Sequence, residues 1–309
     1  MLENLTHLFI FVDDFCNSYN EALENYVKEN NLVFPCKNIN KYESMTLCLS
    51  EIITILISFH LSDFKNLKAY YKFLCIYHRK EFPNLCSYNR FVEREREAFY
   101  PLKVFFECIS GECDGLSYID ATCLPVCHIK REHICKMFKG IAKKSKSTMG
   151  WYYGFKLHLI INKYGHPISF ELTKSTVDDR KVPESIFSKI FGKLYGDRGY
   201  ISEKFRKKLK DNMIDMINPI RSDMKPKLVT EEDNNNLKKR GIIESVFNLL
   251  KNVLSMQHTR HRSGKNYVVN LISSLCACCF RFVSSVPIKR MLSNIEPNNV
   301  NSMVLESFE

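Results

Sequence analysis

The chain has 309 residues, 45% of them hydrophobic, with 45 Lys and Arg against 34 Asp and Glu, a formal charge of +11 and a pI near 9.0. This length and apolar content describe one large or two ordinary globular domains and exclude a chain too polar to fold. The positive excess favours a polyanionic partner, nucleic acid before membrane. Thirteen cysteines are an odd number in a long chain. With no signal-peptide pattern at the start, they read as reduced thiols in a cytoplasm.

Residues 1 to about 113 read as helical. Leu8 to Val12 opens an apolar helix, Met45 to Leu61 makes a second and Leu67 to Tyr77 a third. The second is short of a membrane span and carries Glu51 and His60, so it predicts a buried helix and no membrane. Pro83 and Asn84 break the pattern, and Ser87 is placed to cap a long helix bearing Arg90, Arg94 and Arg96. That succession reads either as a helix-turn-helix reader of a DNA groove or as a packing and dimerisation module.

The texture changes near Asp114. Leu116 to Thr122 predicts a short strand holding Asp120. Phe155, Leu157, Leu159 and Ile161 follow mostly strand period, and Gly165-His166-Pro167 turns the chain into a partner strand, Ile168 to Leu172. On the same period Lys156 and His158 fall on the opposite face, either toward DNA or as ordinary solvent-facing residues. Thr176 to Asp179 reads as the cap of a helix reaching Ile190. Lys193 to Tyr195 is a strand ending on Gly196-Asp197-Arg198-Gly199-Tyr200, Ser202 to Leu209 is a helix with cations outside, and Ile214 to Ile217 is another short strand.

A polar insert, Asn218 to Lys239, precedes a helix over Arg240 to Leu254. Ile243, Val246, Phe247, Leu250 and Leu254 form its buried stripe, and Arg240, Glu244, Asn248 and Lys251 share an adjacent face. The ordinary reading of Arg240 and Glu244 is a surface pair worth about 0.3–0.5 kcal/mol. A basic cluster with Arg260, Arg262 and Lys265 then leads into an apolar helix, Tyr267 to Phe282, and a flexible tail from Ser284. The expected division is 1–113 helical, 114–283 catalytic, 284–309 tail.

Strand, hairpin, helix, strand, helix, strand and helix describe an α/β (α+β) domain: a ribonuclease H-like mixed sheet flanked by helices, preceded by an all-helical N-terminal domain. It gathers Asp120, Asp197 and Glu244. Carboxylates about 5 Å apart repel by roughly 3 kcal/mol at an effective dielectric near 20, so such a site wants cations. Oxygen-only ligands favour Mg²⁺ or Mn²⁺, and a pair of such ions serves phosphodiester chemistry. Asp178 and Asp179 compete for the second position but read as helix caps. Cys123, Cys127, His128, His133 and Cys135 have only partial zinc-ligand spacing. Trp151 and Tyr152 read as core, or as a platform for an unpaired base. His128-x2-Arg131 with its following tyrosines would suit a tyrosine recombinase, a reading that leaves the acidic motifs unexplained.

Residues 118–127 (YIDATCLPVC), 150–158 (GWYYGFKLH), 177–180 (VDDR), 196–200 (GDRGY) and the Arg240-x3-Glu244-x6-Lys251 spacing together resemble bacterial insertion-sequence transposases of the DDE type, the insertion sequence 982 family in particular. The resemblance spans about residues 45 to 282. It implies Asp120, Asp197 and Glu244 as a catalytic, metal-binding triad for two Mg²⁺ or Mn²⁺ ions, with Arg240 and Lys251 on DNA phosphates. Lys156, His158, Arg198, Arg260, Arg262 and Lys265 are further candidate DNA contacts. The implied partners are double-stranded terminal inverted repeats, target DNA and a second copy of the chain, in a bacterial cytoplasm at the nucleoid. One departure is Leu237, where related transposases often carry Tyr, which weakens a DNA contact at that position.

Overall fold

The computed structural model describes residues 2–29, 46–148, 150–219, 230–257, 261 and 263–283. The tail from Ser284, residues 220–229 of the polar insert, and Arg260 and Arg262 lie outside the described residues. In chain order the helices are α1 (Leu2–Glu29), α2 (Leu49–Leu61), α3 (Leu67–Tyr77), α4 (Tyr88–Arg94) and α5 (Phe99–Ile109). Strands β1 (Leu116–Cys127), β2 (Lys143–Ser147), β3 (Gly150–Asn162), β4 (Pro167–Lys174) and β5 (Gly192–Gly196) follow. Then come α6 (Glu203–Asp211), β6 (Ile214–Ile217), α7 (Glu231–Lys239), α8 (Ile242–Asn248) and α9 (Gly264–Val283). They divide into two compact units, residues 1–109 with 253–309, and residues 110–252.

The first unit is helical and is built on α2. Every residue from Leu49 to His60 is buried, as its apolar circumference requires, and α1, α3 and α9 pack against it. The Glu51 carboxylate accepts from the Cys48 amide at 2.7 Å, Asn66 caps α3 through the Ala69 amide at 2.8 Å, and Ser87 caps α4. Two buried polar links hold the late part of the chain in this unit. Asn266 donates to the Glu95 carboxyl at 2.9 Å, and the His60 ring lies 2.6 Å from the Leu254 carbonyl oxygen.

The second unit is a mixed sheet in the order β2-β3-β1-β5-β6, with β4 beside β2 on the same edge of β3. β3 runs antiparallel to β1, while β5 and β6 run parallel to β1 and so need crossovers. Ile119, Ile160, Leu194 and Met216 form one buried core with Val182, Ile186 and Phe187 from the first crossover and Phe205 and Leu209 from α6. α8 packs on β1 and α7 on β5. The Asp233 carboxylate fastens α7 to the sheet by accepting from Lys193 Nζ and the Tyr195 hydroxyl, both at 2.8 Å. Gly154 lies where β1 carries an irregularity between Pro125 and Cys127, and a side chain there would overlap the Leu124 carbonyl oxygen.

Several expectations change. The helix expected up to Ile190 is a pair of short 3₁₀ turns, Asp179–Lys181 and Glu184–Phe187, because Pro183 has no amide to continue a helix. The helix expected over Arg240–Leu254 is broken. α7 ends at Lys239, Arg240 and Gly241 form a turn, and α8 passes into a π-helical turn, Leu249–Val253. The long helix after Ser87 is interrupted by a 3₁₀ segment, Glu95–Ala98. The connection from α3 to α4 spans ten residues, 78–87, against the three or four of a helix-turn-helix, and Arg94 points inward to the Leu47 carbonyl. α9, expected in the sheet domain, belongs to the helical unit, since its residues from Leu271 to Cys279 are buried and it packs on α2 and α5. No helix among the described residues is long and apolar enough to cross a membrane.

Candidate active site

Asp120 projects from the middle of β1, opposite Leu159 of β3. Strand alternation sends Ile119 into the core and Asp120 to the other face. Its carboxylate accepts from the Ala121 amide at 2.7 Å and pairs with Arg240 Nη1 at 3.3 Å. Burial raises its pKa to about 6. The Ala121 amide and Arg240 oppose that rise, while Asp197 and Asp179 add to it. Three carboxylates therefore act on one another here, and they come from three separate segments of the chain.

Asp197 follows β5 and is exposed at the start of the Arg198–Tyr200 turn. Buried Asn218, just past β6, donates to the Gly196 and Asp197 carbonyls at 3.2 and 2.8 Å and so sets the course of that turn. Arg198 is exposed beside it. Glu244, in the first turn of α8, has a side chain 68% exposed, and Arg240 Nη2 lies 3.8 Å from its carboxylate. The Arg240 guanidinium thus stands between Asp120 and Glu244 and meets both. The pair expected at the helix surface is one half of a bridge that reaches the sheet.

Asp178 and Asp179, both expected to be caps, separate in role. Asp178 caps its turn through the Arg180 amide at 2.9 Å and pairs with the Arg180 side chain. Asp179 accepts from Lys156 Nζ at 3.1 Å, lies 3.8 Å from His158 Nδ1 and adds to the negative field at Asp120. The doubled acid in Val177-Asp178-Asp179 was the available signal, since a cap uses only one. Tyr200 is buried in the same field, and its hydroxyl has no hydrogen-bond partner. Burial, with Asp179, Asp120 and Asp197, holds its pKa well above the ordinary range.

The remaining candidates scatter. His158 is fully buried, 2.9 Å from Thr173 Oγ1, and burial lowers its pKa to about 4. This corrects the reading of a surface strand face: the face bearing His158 lies beneath the segment holding Asp179, and the neutral ring is not presented to DNA. Lys156 is likewise engaged, donating to the Val177 carbonyl and to Asp179. Lys251 donates to the Cys123 carbonyl at 3.0 Å, and burial lowers its pKa. Lys265 is exposed near the start of α9.

Around Cys127 the thiol is pushed up to about 11 by burial and by Cys135. Among the described residues no three His, Cys, Asp or Glu side chains stand close enough together to hold a metal ion, there or at Asp120. No described cysteine is in a disulfide.

No curated protein and no solved structure matches the chain. A family model described as a transposase DDE domain matches residues 110–264, half of the sequence, and takes in all of β1–β6 together with Asp120, Asp197 and Glu244. The chain belongs to the transposase DDE domain family.

Proposed function

We propose that this protein is an insertion-sequence DNA transposase, of the insertion sequence 982 type, that binds terminal inverted repeats and cuts and joins DNA strands at Asp120, Asp197 and Glu244. The observation that carries the reading is Asp120: a carboxylate turned off a central strand, destabilised by burial and by Asp197 and Asp179, and joined through Arg240 to Glu244. The strand order, with four strands joined in antiparallel pairings followed by two parallel ones, supports a ribonuclease H-like fold.

An oxygen-only donor set burdened by like-charge repulsion fits a hard divalent cation such as Mg²⁺ or Mn²⁺. When bound, one or two such ions supply activation of the attacking oxygen and neutralisation of the departing one. For these residues to act together, Glu244 turns in from solvent and Arg240 moves off Asp120. Freed there, the Arg240 guanidinium is placed to pair with a DNA phosphate. Asn218 keeps the Asp197 turn in place. Asp120 and Asp197 orient the water that releases a 3′ hydroxyl, and then the hydroxyl that attacks target DNA. The helical unit is assigned to end recognition and pairing of at least two copies, which suits work at a bacterial nucleoid.

The test is cleavage and strand transfer on DNA carrying the element's repeats. Glu244→Gln keeps size and helix propensity, so DNA binding and melting temperature are expected to persist while Mg²⁺-dependent cleavage falls by orders of magnitude. The loss of an exposed pair, a few tenths of a kcal/mol, accounts for less than about a threefold change in rate. Glu203→Gln, at the start of α6, cuts normally. Near-normal cleavage by the Glu244 variant removes Glu244 from the site and makes Asp179 the next carboxylate to replace. Metal-dependent cleavage without strand-transfer products would identify a nuclease instead, and binding without cleavage by the unaltered chain a silent transposase remnant.

A further inference from the structure

Between residues 128 and 148 the sequence places seven Lys and Arg against one carboxylate, Glu132, a large part of the chain's net charge of +11. All seven are exposed. They lie on the connection from β1 to β2 and on β2 itself, which pairs with the first residues of β3 as a hairpin. Lys144 and Lys146 stand opposite Tyr153 and Trp151, so all four share a face of the hairpin.

Trp151 is 58% exposed, and Lys144 Nζ lies 5.7 Å from its ring centroid and 3.2 Å from the Glu132 carboxylate. Ile134 and Ile141, on the same connection, are also exposed. The Tyr153 hydroxyl donates to the Phe138 carbonyl at 2.9 Å, which ties the connection to the hairpin and presents both as one surface. A fold does not leave its sole tryptophan uncovered among cations for the sake of its own core. The strand register puts Trp151 eight residues along β3 from Leu159, the partner of Asp120, or about 26 Å from the chemistry.

We propose that this hairpin and its connection form a second DNA-binding surface, with the lysines on backbone phosphates and Trp151 stacking on an unpaired base. Exposed cations interleaved with an aromatic face are what single-stranded nucleic acid requires: charge follows the backbone, and the ring accepts any base. The proposal rests on the DNA reading above and adds a contact with single-stranded DNA at a distance from the cleaved bond.

Because Trp151 is the only tryptophan, its emission reports this surface in the unaltered full-length chain. A thymine-only single strand is expected to quench it, and a fully paired duplex of equal length to quench it much less. Trp151→Leu weakens single-strand binding by about 5- to 150-fold, with little change for duplex. Lys144→Gln with Lys146→Gln, both on the face of Trp151, lowers the dependence of log affinity on log salt by about 1.4 for single strands, from two lost phosphate contacts. Single-strand binding seen by anisotropy with unchanged Trp151 emission would overturn the proposal, as would a salt slope unaltered in the double variant. Equal quenching by heparin or an acidic peptide would also overturn it, since neither offers a base. If Glu244→Gln abolishes cleavage while Trp151 stays silent, the hairpin alone is refuted. If Trp151 responds to single strands but the protein cuts no DNA, the catalytic reading fails and the hairpin contact stands.

Discussion

Glu95 is the place where stability should depend most clearly on pH. It is 1% exposed in the helical unit, and burial raises its pKa from 4.5 to about 8, opposed by the hydrogen bond from Asn266. One of its oxygens has no partner. In the folded protein the carboxyl keeps its proton up to about pH 8, whereas in the unfolded chain it loses it from about 4.5 upward. The folded state therefore binds more protons across this window, and stability declines as pH rises. The contribution is present in full below the unfolded value and lost as pH rises through the folded one.

At about pH 8 the accumulated loss is about 4 kcal/mol, a large share of a typical domain's stability. Glu95→Gln keeps shape and an oxygen for Asn266 but cannot ionise. Urea denaturation at about pH 5 and about pH 8 should show the parent losing stability and the variant changing much less. At the higher pH the variant should melt on the order of 10 °C above the parent. Equal pH dependence in the two proteins, or a variant less stable than the parent near pH 8, would refute the reasoning.

Other expectations concern the sheet unit. Gly154→Ala forces a methyl against the Leu124 carbonyl, so β1 and β3 must splay; a loss of roughly 2–4 kcal/mol in urea denaturation is expected, and one below about 0.5 would contradict the close approach. Asp233→Ala leaves Lys193 and the buried Tyr195 hydroxyl without their acceptor, at a cost of about 2–4 kcal/mol in the same measurement. Lys193 lowers the Asp233 pKa to about 2, so this contribution is present above the ordinary carboxylate range and lost as pH falls through that value. A fragment of residues 110–252 should melt cooperatively, whereas 114–283 carries α9 without α2 and α5 and should aggregate, which light scattering would detect.

What the sequence determined by itself was local and periodic. Alternation over Phe155 to Ile161 marked β3, the Gly165 turn joined it to β4, and the apolar circumference from Leu49 to His60 marked a buried helix. The motifs around Asp120, Asp197 and Glu244 resemble those of DDE transposases, and the segment that carries them matches the transposase DDE domain family. The tertiary structure decided which groups meet. A single strand period could not say that the face bearing Lys156 and His158 is covered, since the cover comes from residues 175–181. Nor could two adjacent acids reveal that Asp178 serves its own turn while Asp179 acts on Asp120, some 60 residues away. The bridge from Asp120 through Arg240 to Glu244 spans β1 and the turn before α8, so its partners become neighbours only when that helix packs on the sheet. Helix periodicity gave α9 an apolar surface but no address, because burial rewards any apolar partner alike and only the fold supplies α2 and α5.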